Sequence, residues 1–167
     1  MSIAEMLLPE WDVEMATTRR VLERVPSDKG EWKPHPKSFP MAHLAQLVSR
    51  MPSWATMMMN TEELDIAPKE GGGPGYSIET TETLLAEFDR NAAEGRAALA
   101  ATSDAQFGET WTMKARGEAV QSNTRYHMLR TGMLNHLVHH RAQLGVYLRL
   151  VELPVPSMYG PTADERF

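Results

Sequence analysis

The sequence predicts an all-α fold, a four-helix bundle of the antiparallel type. Four stretches repeat their apolar residues in steps of three, four and seven, the rhythm of one buried helix face. Prolines and glycines gather between those stretches, where they end helices and leave long connections. A hydrophobic fraction of 42% in 167 residues is enough to close a core, so residues 1–167 read as a single domain.

The first helix falls within residues 3–25. Ile3, Met6 or Leu7, Trp11, Met15, Val21 or Leu22, and Val25 keep its rhythm. Pro9 suits an early turn, which favours a start after Leu8. Turn residues from Pro26 to Gly30 end it. Residues 26–40 hold Pro26, Pro34, Pro36 and Pro40, so an extended connector is expected. Trp32 and Phe39 should pack it down, with Lys33, His35 and Lys37 toward water. The second helix runs from Pro40 to about Asn60. Its stripe is Leu44, Leu47, Val48, Met51, Trp54, Ala55 and Met58. Pro52 removes one backbone hydrogen bond inside it, and a kink follows. His43 sits at the stripe's edge, one turn before Leu47.

Residues 61–77 read as a loop. Gly71-Gly72-Gly73-Pro74-Gly75 lacks the Gly-Lys-Ser/Thr continuation of a phosphate-binding loop, so it is read as a surface connection. The third helix, from Ser77 or Thr80 to Thr102, buries Leu84 or Leu85, Phe88, Ala92, Gly95 and Leu99. Acidic residues in its first turn, Glu79 and Glu82, suit the helix dipole. Residues 103–122 are irregular. Trp111 to Met113 has extended character and Arg116-Gly117-Glu118 reads as a turn, which leaves room for a short strand or hairpin. The fourth helix is capped by Ser122, Asn123 or Thr124 and runs to near Leu153. Its face is Tyr126, Leu129, Met133, Leu137, Leu144, Leu148 and Val151. The tail from Pro154 to Phe167 is expected as ordered coil over the bundle.

Composition removes several function classes. A net charge of −5 without any basic run argues against nucleic acid as a partner. The absence of cysteine removes disulfides, thiolate metal sites and a cysteine nucleophile. No apolar run approaches the ~20 residues that span a bilayer, so no membrane partner is expected. Glu5, Glu10, Asp12 and Glu14 do not suit a signal peptide, and a cytoplasmic protein is expected.

The chemistry concentrates on the fourth helix. His136 and His140 are four apart, stacked about 6 Å from each other at the backbone by helix geometry. Both rings can reach one divalent ion from that spacing. The plainer alternative is two histidines packed at a helix flank and bonded to their neighbours. His139 lies three residues from His136 at the flank of the stripe. Arg141 and Gln143 either meet a substrate or tie the helix to its neighbour, and tying is the simpler reading. Met57, Met58 and Met59 are best read as core filling. A zincin helix requires glutamate where Leu137 stands, and no Glu-x-x-His pair supports a di-iron bundle.

Four pieces then occur in an order typical of one family. They are Trp32 to Ser38, Met51-Pro52-Ser53-Trp54, His136 to Leu150, and Val155 to Glu165 with its Tyr159-Gly160-Pro161. Over most of its length the chain resembles the DinB/YfiT-like proteins. The resemblance implies an up-down-down-up bundle, a homodimer and a mononuclear metal held by three histidines. Two of those match His136 and His140. The third falls on Leu47, and His43 is the nearest substitute, one turn or ~5.4 Å away along the axis. The implied metal set is therefore His43, His136 and His140, with zinc, nickel or iron as the divalent cofactor. The implied function is a metal-dependent hydrolase or thiol-dependent transferase acting on a small molecule, with a low-molecular-weight thiol as candidate co-substrate. Leu47 supports an alternative: a non-catalytic, stress-related or small-molecule-binding bundle whose metal site has degenerated. Tyr159 and Asp164 match the family's tail without an implied catalytic role.

Overall fold

The computed structural model describes residues 1–68, 75–77 and 80–166. Gly71 to Pro74 of the glycine cluster, Glu79 and Phe167 lie outside the described residues. Helix α1 (Ile3–Leu22) begins before Pro9, not after Leu8. Ser2 and Glu5 form a capping box that satisfies its first amide groups. Glu5 and Pro9 are both exposed, so the carbonyl that Pro9 cannot serve faces water. A 3-10 turn, Ser27–Lys29, leads into the connector.

The second helix is two helices, α2 (Met41–Arg50) and α3 (Ser53–Asn60), divided at Met51-Pro52. The expected proline kink is thus a break in the ladder. After β1 (Glu63–Asp65) come α4 (Thr81–Ala101), α5 (Asp104–Gly108), β2 (Thr110–Ala115) and β3 (Glu118–Thr124). The last helical region comprises α6 (Arg125–Met128), a π-helical turn (Leu129–Leu134) and α7 (Asn135–Leu150).

The all-α expectation needs correction. The fold is mostly helical but carries a three-stranded sheet, β1-β2-β3, with β1 parallel and β3 antiparallel to β2. Arg116 and Gly117 take φ of 56° and 85°, the left-handed pair a tight hairpin requires. Buried Trp111 anchors the sheet, its Nε1 donating to Thr61 Oγ1 at 3.1 Å. The sheet escapes a reading based on alternation because β1 has three residues and β3 is exposed nearly throughout.

Helices α1, α2, α3, α4 and α7 close over one apolar cluster, with Trp11, Leu44, Val48, Met51, Phe88, Leu99, Leu137 and Leu144 all at most 1% exposed. Each such side chain contributes about 1.5–3 kcal/mol by burial. Gly95 is required where α4 crosses α1, since a Cβ there would lie 2.6 Å from the Trp11 ring and 2.9 Å from the Pro52 carbonyl oxygen. The fourth-helix face holds from Leu129 onward, but Tyr126 is 42% exposed while Arg125 and Met128 are buried. The π turn carries bonds to the fifth residue back, such as Asn135 N–H to the Arg130 carbonyl, so the 3.6-residue rhythm slips across it. Thr124 is the cap, and α7 ends at Leu150, before the expected Leu153. None of the described helices is long and apolar enough to cross a membrane.

Candidate metal centre

His136 and His140 stand in the first two turns of α7, immediately after the π turn. Their Nε2 atoms face each other at 2.9 Å. Their other nitrogens are engaged. His136 Nδ1 lies 3.3 Å from the Gly132 carbonyl oxygen, and His140 Nδ1 lies 2.8 Å from Gln143 Oε1. A carbonyl oxygen only accepts, so His136 Nδ1 carries the hydrogen and its Nε2 holds a lone pair. In the tautomer whose Nδ1 donates to Gln143 Oε1, His140 Nε2 also holds a lone pair. Two ring lone pairs then point at one another, an arrangement that repels unless positive charge lies between them.

The geometry fits a shared ion. Two nitrogens bound at 2.0–2.1 Å and separated by 90–109° lie about 2.8–3.4 Å apart, and the observed 2.9 Å falls in that interval. Metal-binding histidines characteristically donate their second ring N–H to a carbonyl or similar acceptor, as both do here. His140 is buried at 8% exposure and His136 is half-buried. Burial, the largest cause, holds the His140 pKa below the ordinary histidine value. The Gln143 hydrogen bond raises it, and the nearby His136, His139 and His43 lower it. A neutral imidazole is the form a metal takes.

His43 lies near enough to act on the charge of His140 but does not join the pair as a third ligand among the described residues. Its ring is stacked between Phe39, at 4.2 Å between centroids, and Tyr76, at 3.9 Å. The Arg50 guanidinium lies over the other partner of that stack, 5.4 Å from the Tyr76 centroid. Burial lowers the His43 pKa. Leu47, where the family resemblance places a histidine, is buried in the core. Among the described residues, no cluster of three or more His, Cys, Asp or Glu side chains is placed to hold a metal. The residues present would therefore supply at most two protein ligands to an ion. Phe39 and Trp54 flank the pair, their ring centroids 6.4 Å from His140 and 5.7 Å from His136. His139 is exposed, 4.9 Å from the His140 ring.

Arg141, Tyr159 and Asp164 have structural work. Arg141 bridges α7 to α1 and the tail, and Tyr159 joins it there. Asp164 pairs with Arg149 and accepts the Val155 amide at 2.8 Å. Sequence reasoning missed the pairing of Gln143 with His140, although three residues is a neighbour spacing on a helix. It also missed the Gly132 carbonyl, four residues before His136, because no side chain announces it.

A sequence profile of the DinB family matches residues 1–166. Among curated proteins, none matches the chain. A DinB-like protein of Bacillus cereus superposes with a TM-score of 0.70 at 19% identity, covering 95% of this chain and 98% of its own. The DinB-like protein YjoA of Bacillus subtilis superposes with a TM-score of 0.65 at 15% identity, covering 92% and 97%. At those identities the structural likeness speaks for the fold alone.

Proposed function

This chain belongs to the DinB family, and on that premise we propose that it is a metal-dependent enzyme acting on a small molecule, with His136 and His140 as its metal-holding residues. The observation that carries this reading is the pair of Nε2 atoms 2.9 Å apart, each on a ring whose other nitrogen already faces an acceptor. A bound zinc, nickel or iron(II) ion supplies Lewis acidity that activates water or a thiol as a nucleophile, the chemistry of a hydrolase or a thiol-dependent transferase. Gly132 and Gln143 hold the two rings in their orientation. Trp54 and Phe39 flank the pair with aromatic surface. Two histidines would hold such an ion less tightly than a three-histidine site and would leave room beside it for a substrate. His43 enters as a third ligand only by leaving its stack with Phe39 and Tyr76.

Calorimetric titration of zinc and nickel into the parent, His136→Ala and His140→Ala proteins tests the reading. One site in the parent, lost in both variants, supports it. A parent that takes up neither ion overturns it. A second reading has its own observation: Leu47 is apolar and buried where the family resemblance expects a histidine. On that reading the chain is a small-molecule-binding bundle without catalysis, and Leu47→His creates metal binding that the parent lacks. A homodimer belongs to the family-based reading, and sedimentation as an 18.8 kDa particle alone excludes it.

A further inference from the structure

The partners of the two histidines differ in what they can do. Gly132 offers His136 a backbone carbonyl, which accepts and nothing else. Gln143 offers His140 a terminal amide, which has an acceptor oxygen and a donor nitrogen at equal reach. Among the described residues, the contact with His140 is the only hydrogen bond of the half-buried Gln143 side chain. Resting on the metal reading above, we propose that Gln143 is a positioning residue that sets the tautomer of His140, and so decides whether the histidine pair is closed on itself or open to a divalent cation.

His136 is fixed, with its hydrogen on Nδ1 and a lone pair on Nε2. Two arrangements of His140 then satisfy the atoms around it. In the open arrangement, His140 Nδ1–H donates to Gln143 Oε1, and both Nε2 lone pairs point at the cation. The oxygen and nitrogen of the Gln143 amide exchange places by a half-turn, so its 2.8 Å reach to Nδ1 serves this arrangement and the next alike. In the closed arrangement, His140 Nε2–H donates to His136 Nε2, and the 2.9 Å separation becomes an ordinary hydrogen bond. His140 Nδ1 then holds a lone pair, and the Gln143 amide turns over to donate to it. Passing from closed to open, one proton leaves Nε2 for solvent and one is taken up at Nδ1. His140 stays neutral in both, and only the amide rotates. A carboxylate at position 143 supports the open arrangement alone, and an aliphatic side chain supports neither.

The test is zinc titration of the parent, Gln143→Glu and Gln143→Leu proteins, with nitrogen-15 NMR of the imidazole rings before and after zinc. In the zinc-free parent, His140 should carry its hydrogen on Nε2 and His136 on Nδ1. With zinc, both should carry it on Nδ1. Gln143→Glu should keep His140 Nδ1 protonated with or without zinc and bind zinc about tenfold more tightly, and Gln143→Leu should bind it about 10–100-fold more weakly. The proposal is overturned by a zinc-free parent whose His140 already holds its only hydrogen on Nδ1. It is overturned equally by variants with the parent's ring tautomers and zinc affinity. If the parent takes up no zinc, the metal reading fails by itself. The zinc-free spectra of the parent and Gln143→Glu still decide the role of the amide.

Discussion

His140 and Arg141 are neighbours on α7 and belong to polar clusters of different kinds. Arg141 is 1% exposed and reaches α1 and the tail. Its NH1 donates to the Glu14 carbonyl at 3.1 Å and to Thr18 Oγ1 at 3.0 Å, and it lies 2.7 Å from the Glu14 carboxylate. Its NH2 donates to the Tyr159 hydroxyl at 2.6 Å, and that hydroxyl donates to the Glu14 carboxylate at 2.8 Å. Positive and negative groups face each other, and only Arg141 Nε lacks a partner there. In the histidine pair two ring nitrogens face each other at 2.9 Å, with neither a carboxylate nor a guanidinium bonded to them among the described residues. The first cluster ties α7 to α1 and the tail, whereas the second, on the reading proposed above, receives a cation.

The largest effect should come from breaking the complete cluster. Arg141→Met strands the Glu14 carboxylate in the core, which costs about 3–5 kcal/mol by analogy with broken buried ion pairs. Urea unfolding measures this, and zinc uptake by the folded fraction should be unchanged. His140→Ala should do the opposite, costing on the order of 1 kcal/mol in stability while abolishing zinc uptake. A reversal of these two outcomes would break the comparison.

Gly95→Ala gauges both clusters against plain packing. Its Cβ would meet the Trp11 ring at 2.6 Å and the Pro52 carbonyl at 2.9 Å, so α1 and α4 must move apart. A loss of about 1–3 kcal/mol is expected, read from the same unfolding curves, with zinc uptake intact. Leu47→His sharpens the incomplete side. It offers the pair a third imidazole and should tighten zinc binding at least about tenfold, at a stability cost of about 1–2 kcal/mol for the buried polar ring.

The smallest effect concerns pH. Burial lowers the His43 pKa. The Arg149 hydrogen bond, followed by the Val155 amide, lowers that of Asp164. The Ser157 amide, the largest favourable cause, lowers that of Glu165. Each group binds protons more weakly folded than unfolded, so each contributes stability above its unfolded pKa that is lost as pH falls through the folded value. The melting temperature should therefore begin to fall below about pH 6.5 as histidine titrates and fall further through the carboxylate range near 4. Thermal melts across pH 3–8 check the order.

The helices were legible because burial imposes a period on sequence. Leu44, Val48, Phe88, Leu99, Leu137 and Leu148 lie in the core as their spacing requires. Tyr126 was misread because the π turn shifts the register before it, and that turn leaves no mark in residue type. The sheet was half legible: the Arg116-Gly117 turn announces a hairpin, but three-residue β1 and exposed β3 carry no apolar alternation. Of the candidate site, the His136 and His140 spacing was legible because α-helix geometry converts four residues into one face. The displacement of His43 was not, since its stacking partner Tyr76 is separated from it by a long connection whose path the sequence does not determine.

Whether a cation completes the face-to-face nitrogens of His136 and His140 is open to direct measurement. Anomalous diffraction at the zinc or nickel edge, from crystals grown with that metal, addresses it directly. One peak is expected at about 2.0–2.2 Å from both Nε2 atoms. Two rings still in contact at the distance seen here, with no peak between or beside them in saturating metal, would contradict it.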